Sequence, residues 1–254
     1  MKDAYRHFIA EFVGIFALVF VGSGSIMMAQ HTNSASPLLL VATAHGLILS
    51  IMVTATMRIS GHLNPAVTIG FVAARRIEPL MAAIYITAQL LGAIAAAYAL
   101  RAAVPQEVFD ATRGGGQSIA LDVTATQAFF LEMIATFFLT FVVFGTAVDP
   151  KAPKVGGFAI GLTIGADILA IGPLTGASMN PARSLGPAMA SGIYEGQIVY
   201  WAGPIVGSIV AALLYDTLFL RRGDDLPLHG AVSPEDAPEP RPASDTPSRG
   251  RKNR

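Results

Sequence analysis

The sequence predicts an all-α membrane protein: six transmembrane helices and two re-entrant half-helices, arranged as two inverted repeats. Three observations carry this. Hydrophobic residues make up 53% of the 254-residue chain and charged residues only 13%, at a mean hydropathy of +0.55; a soluble domain has about 25% charged residues. Six segments have the length and composition to cross a hydrocarbon core. The two halves of the chain match each other, and each half holds an odd number of such segments.

The same figures exclude several function classes. Seventeen bases balance seventeen acids, so there is no basic face for a nucleic acid partner. The absence of cysteine excludes a disulfide-stapled domain and a thiolate metal or redox site. Five histidines lie at 7, 31, 45, 62 and 229 without ligand spacing, so no metal is expected. No phosphate loop, nucleophile elbow or dinucleotide turn is present. The chain is therefore expected to be no enzyme and to use no cofactor.

A spanning helix needs about 20 apolar residues, because the core is about 30 Å thick and each residue rises 1.5 Å. The expected spans are Phe8–Ala29, Pro37–Met57, Leu80–Ala102, Gln127–Val148, Val155–Ala170 and Ile198–Leu220. The first is too long for a signal peptide and contains Glu11. The fifth is short and glycine-rich. Residues 59–76 and 171–190 are apolar but too short to cross; each becomes helix-compatible from an Asn-Pro step, over Asn64–Ala74 and Asn180–Ala190. Such a helix is about 16 Å long, half a bilayer. Irregular chain at that depth is tolerated only where protein or a water-filled cavity covers it, so the two stretches imply a cavity. Residues 221–254 hold seven of the seventeen bases and six of the sixteen prolines, and read as a solvated, disordered cytoplasmic tail.

Lys and Arg counts set the orientation. With the N-terminus (residues 1–7) inside, the inner segments carry 14 bases and the outer ones 3. Both termini are expected in the cytoplasm of a multi-pass cell-membrane protein. Glu11–Phe20 matches Glu132–Phe141, Ser60–Ala66 matches Thr175–Ala182 with one residue inserted, and Tyr85–Gly92 matches Tyr200–Gly207. With three spans per half, the second copy is upside down relative to the first. Inverted repeats of this kind place a site near the bilayer midplane.

The site chemistry follows from Asn64-Pro65-Ala66 and Asn180-Pro181-Ala182. Asn is a strong N-cap whose side-chain oxygen accepts from first-turn amides. Pro at the first helical position fixes φ and loses no needed donor. Each Asn then keeps its NH₂ free, with two donors to present. The two N-termini meet near the midplane, each carrying roughly +0.5 charge. A neutral oxygen-bearing molecule can accept hydrogen bonds there, while cations and hopping protons are repelled.

These residues, with the flanks Ser60–Thr68 and Gly176–Pro187, resemble the aquaporins of the major intrinsic protein family. The resemblance covers about residues 8–220, the channel domain, with repeats at about 8–102 and 127–220. It implies a homotetramer in membrane lipid with one pore per subunit, and water as the permeating partner. It also implies a narrower outer filter of His45, Ile168, Ala177 and Arg183. In strict water channels a second His usually stands where this chain has Ile168, so the ring is wider and less polar, similar to members that pass ammonia, urea or glycerol. Ser184, Ala188, Tyr200 and Trp201 instead match the water-channel pattern. Small neutral solutes therefore stay open as further permeants, and a broad-range glycerol, urea or ammonia facilitator stays open as the alternative. In the family, carboxylates like Glu11 and Glu132 accept from the amides of the re-entrant loops, and His62 is expected to help hold the first loop. A proton-coupled transporter using Glu11 and Glu132 is the rival from another class. Asp167 is expected to anchor the second loop or face the outer vestibule, and Asp216 to meet Arg221 or water.

Overall fold

The computed structural model describes residues 4–153 and 155–220. Among them the helices are α1 (Ala4–His31), α2 (Pro37–Thr56), α3 (Pro65–Ala73), α4 (Pro79–Ala103), α5 (Gln106–Ala111), α6 (Ala125–Val143), α7 (Gly156–Thr175), α8 (Pro181–Ser191) and α9 (Gln197–Tyr215). α6 and α9 each continue through a π-helical turn, over Phe144–Val148 and Asp216–Leu220. Six of these helices are long and apolar enough to span a membrane: α1, α2, α4, α6, α7 and α9, with the π turns of α6 and α9 included. The tail expected at 221–254 lies outside the described residues.

Each half builds the same unit. α1 packs on α2 and α4, as α6 packs on α7 and α9. The half-helices cross between the units: α3 lies against α9 as well as α4, and α8 lies against α4 as well as α9. Their lengths, 9 and 11 residues, match the half-bilayer reading, and their N-termini point toward each other.

Two expectations on α7 need correction. The fifth span is not short: it runs to Thr175, five residues past Ala170. The second re-entrant segment therefore starts at 176 and not at 171. Gly172 and Pro173 read as breakers, but Pro173 sits in the last turn, and Gly176 closes the helix in the left-handed region at φ 80°. A second feature had no sequence signal. The connection between the halves contains α5 and a tight 3-10 turn, Arg113–Gly115, which folds back over the bundle.

Close helix packing rests on small residues, as expected of spans in lipid. A Cβ on Gly161 would lie 2.2 Å from the Gly46 carbonyl oxygen, and one on Gly207 would lie 2.0 Å from that of Met133. Both neighbours are backbone and cannot yield. Gly207→Ala should therefore separate α6 from α9 and cost about 1–3 kcal/mol. Gly24→Ala meets only Leu100 Cδ2 at 3.6 Å and should gain a little from helix propensity. Thermal unfolding in detergent should show a lower midpoint for the first and an unchanged or higher one for the second.

Candidate functional site

Two buried carboxylates hold the two re-entrant loops. Glu11, from α1, accepts from Ser60 Oγ, from the His62 amide at 2.9 Å and from the Leu63 amide at 2.7 Å. Glu132, from α6, accepts from Thr175 Oγ1 at 2.7 Å, the Ser178 amide at 2.9 Å and the Met179 amide at 2.7 Å. The two sets correspond donor for donor. The residue inserted in the second loop is thereby located. Gly61 alone bridges Ser60 to His62, whereas Gly176 and Ala177 both lie between Thr175 and Ser178. The extra residue, Ala177, bends through φ 47°, and its amide bonds Thr175 Oγ1 at 3.1 Å.

The loops end on Leu63 and Met179, also in the left-handed region at φ 48° and 52°. Asn64 and Asn180 follow in extended conformation as N-caps of α3 and α8. Asn64 Oδ1 accepts from the Ala66 amide at 2.9 Å; Asn180 Oδ1 accepts from those of Ala182 and Arg183 at 3.0 and 3.3 Å. Pro65 and Pro181 occupy the first helical positions, and Ala66 and Ala182 are fully buried beneath them. The Asn amides are not entirely free, which corrects the expectation. Asn64 Nδ2 donates to the Met179 carbonyl and Asn180 Nδ2 to the Leu63 carbonyl, both at 2.8 Å. These carbonyls belong to the residues with left-handed backbone and would otherwise be unpaired at membrane depth. One N–H remains on each Asn.

A narrow cavity runs past this point, lined by Leu49, Val53, Asn64, Ile160, Ile164 and Asn180 among others, with His62 on its wall. His62 bonds Thr68 Oγ1 through Nδ1 at 3.1 Å and packs against Phe71 and Tyr85. A second, wider cavity of about 740 Å³ opens at the other side; Val41, Ile168, Gly172 and Gly176 line it. His45 lies one helical turn from both Val41 and Leu49, and Ile168 one turn from both Ile164 and Gly172. The two residues therefore mark the junction of the cavities. Arg183, one turn after Asn180, reaches the same level. Its Nη2 donates to His45 Nε2 at 3.0 Å, and the pair is 3% and 2% exposed. A guanidinium can only donate, so His45 Nε2 accepts, and Nδ1 carries the hydrogen that bonds the Val41 carbonyl at 2.8 Å. Both ring nitrogens are thus engaged. Ala177 is buried too, at 2%.

Several partners had no sequence signal. Gly22 makes room for the imidazole: a Cβ there would lie 2.4 Å from His45 Nε2. Gly115, at φ 69°, sits against Ser23, and its carbonyl accepts from Ser23 Oγ at 3.2 Å with Arg183 Nη1 at 3.5 Å. Gln89 donates to Glu11 at 2.6 Å and to Thr68 Oγ1 at 3.1 Å. Asp216 pairs with Arg76 at 2.5 Å; Arg221 lies outside the described residues. Asp167 neither holds the second loop nor lines the wider cavity: it is buried on α7, with Oδ2 unpaired among the described residues.

Glu132→Ala should leave two buried amides and a hydroxyl without an acceptor. At about 1–3 kcal/mol for each unsatisfied group, thermal unfolding in detergent should show a large loss of stability. Glu132→Gln, with one accepting oxygen left, should fall between that variant and the parent chain.

With this geometry in hand, the comparisons with known proteins are direct. The family profile described as "Major intrinsic protein" matches residues 1–215. The chain is 40% identical over 251 residues to the probable aquaporin TIP3-2 of Arabidopsis thaliana, covering 92% of each chain. It is 42% identical over 227 residues to aquaporin TIP1-2 of Zea mays, covering 86% of this chain and 87% of the other. The X-ray structure of the aquaglyceroporin from Plasmodium falciparum superposes with a TM-score of 0.72 at 27% identity, covering 86% of this chain and 98% of that one. The chain belongs to the major intrinsic protein family: it is an aquaporin-family membrane channel and not an enzyme.

Proposed function

We propose that the protein is a passive channel whose main permeant is water, with small neutral solutes admitted at the junction of the two cavities. The observation that carries this reading is the paired Asn64 and Asn180. Each caps a half-helix, ties across to the opposite loop and keeps one N–H to offer. A water oxygen passing there accepts from both at the meeting of two positive helix ends. That orients the water and opposes both cation entry and proton hopping. Arg183, His45, Ile168 and Ala177 form the outer selectivity ring. Glu11 and Glu132, with His62 beside the first loop, hold the two motifs in register.

Two further features support a broader substrate range: the apolar Ile168 and Ala177 in the ring, and the likeness to a solved aquaglyceroporin. A proton-coupled transporter is disfavoured because both carboxylates already accept loop hydrogen bonds. We assign the channel domain to about 8–220, both termini to the cytoplasm and the protein to the cell membrane. A homotetramer is supported by α2 and α7, whose apolar spans are only 28% buried within one chain against 44–50% for the other four.

The test is stopped-flow light scattering on proteoliposomes under sucrose, glycerol and urea gradients. Water flow well above empty liposomes, without a proton current, is expected. No gain with tetramers intact, or saturable transport driven by a pH gradient, would overturn the proposal. Ile168→His should lower glycerol and urea entry about tenfold, the effect of about 1.4 kcal/mol on a barrier, and change water flow much less. With no cysteine in the chain, mercurials should leave water flow unchanged, whereas Ala177→Cys should become mercury-sensitive.

A further inference from the structure

One cluster of cationic side chains lies outside the pore. A cavity of about 230 Å³ is lined by Arg6, His7, Arg58 and Ile59. These residues come from the first turn of α1 and from the chain just after α2, and no carboxylate among the described residues lines the cavity. Both arginines are exposed. The His7 ring is fixed from behind: it stacks on Tyr85 with centroids 5.6 Å apart, and its Nδ1 lies 2.7 Å from the Tyr85 hydroxyl. With the phenol donating to Nδ1, Nε2–H is the donor left to serve a ligand. Arg6 also interacts elsewhere in the chain, but five N–H groups on one guanidinium serve more than one acceptor.

The surroundings say what kind of anion fits. Tyr5, Ile9 and Val13 are exposed, Tyr5 by 65%, and their spacing of four places them on one face of α1. That stripe starts at the cavity and runs down the span. Exposed Ile59 lines the other side of the cavity. Cations above an exposed apolar stripe match a phospholipid, whose phosphate is charged and whose chains are not; basic pockets between spans bind headgroups in this way. A soluble phosphate would use the same donors and ignore the stripe.

We propose that this cavity binds the headgroup of an acidic phospholipid. Arg58, Arg6 and His7 Nε2 donate to the phosphate oxygens, and an acyl chain lies along Tyr5, Ile9 and Val13. Charge-assisted bonds from a guanidinium fork supply the specificity.

Native mass spectrometry of the full chain, equilibrated with phosphatidylglycerol and phosphatidylcholine in detergent, tests this. The parent chain should retain phosphatidylglycerol in preference to phosphatidylcholine. Arg58→Ala should retain several-fold less phosphatidylglycerol, with phosphatidylcholine unchanged. His7→Phe keeps the ring on Tyr85, removes the Nε2 donor and should also retain less. Arg75→Ala removes an exposed cation outside the cavity and should behave like the parent. Added inorganic phosphate should displace little of the lipid. Equal retention of the two lipids, or equal losses in Arg58→Ala and Arg75→Ala, would overturn the proposal. Complete displacement by inorganic phosphate would overturn the lipid assignment in favour of a soluble anion.

Discussion

Two loops leave helical geometry at a depth where no lipid can satisfy their backbones, and the structure depends on how those backbones are paired. An unpaired polar group in hydrocarbon costs several kcal/mol. Here one carboxylate per half takes two loop amides and a hydroxyl. The carbonyls of Leu63 and Met179 are taken by the Asn side chain of the opposite half. Neither half completes its own bonding. The two motifs therefore fix each other's position, and the cavity beside them inherits its width from that exchange. Burying a carboxylate is expensive unless it is fully bonded, so each glutamate and its loop are stable only together.

The halves are alike in their cradles and unlike at their mouths. One inserted residue accounts for part of this. Ala177 lengthens the second loop between the Thr175 and Ser178 anchors, with its backbone at φ 47°. The other part is Arg183, which follows the second motif where Val67 follows the first. Val67 lies in an apolar cluster, whereas Arg183 meets His45. A symmetric scaffold thus presents an apolar wall on one side of the midplane and a cation on the other.

Much of this was legible in the residues. The six spans followed from length and hydropathy, the half-helices from Asn-Pro at two matching places, and the glutamate cradles from the repeat together with the family resemblance. What escaped was conformational or distant. The left-handed backbones at Leu63, Ala177 and Met179 have no signature in residues that ordinarily avoid that region. Gly115 comes from a connection that reads as an ordinary polar loop, and Gly22 acquires its meaning only from an imidazole 23 positions away. The longer fifth span was hidden because Gly172-Pro173 reads as a stop, whereas α7 continues through Pro173 with one backbone hydrogen bond forgone and closes at Gly176.

The hydrogen bonds around the proposed ring constrain what passes it. His45 was expected in the filter, and both its ring nitrogens are taken. Its role becomes that of a brace holding the guanidinium. Ile168 and Ala177 add only apolar surface. On the proposed function, polar contact then falls to Arg183, whose Nε has no partner among the described residues and whose Nη1 is only weakly engaged, and to the Gly115 carbonyl, which also accepts from Ser23 Oγ. One side donates and the other accepts. Water satisfies both at once, and so does any small neutral molecule carrying an acceptor and a donor. A cation gains one carbonyl and meets a fixed positive charge. On the proposed function, discrimination among neutral molecules is left to size, which the Ile168 side chain sets.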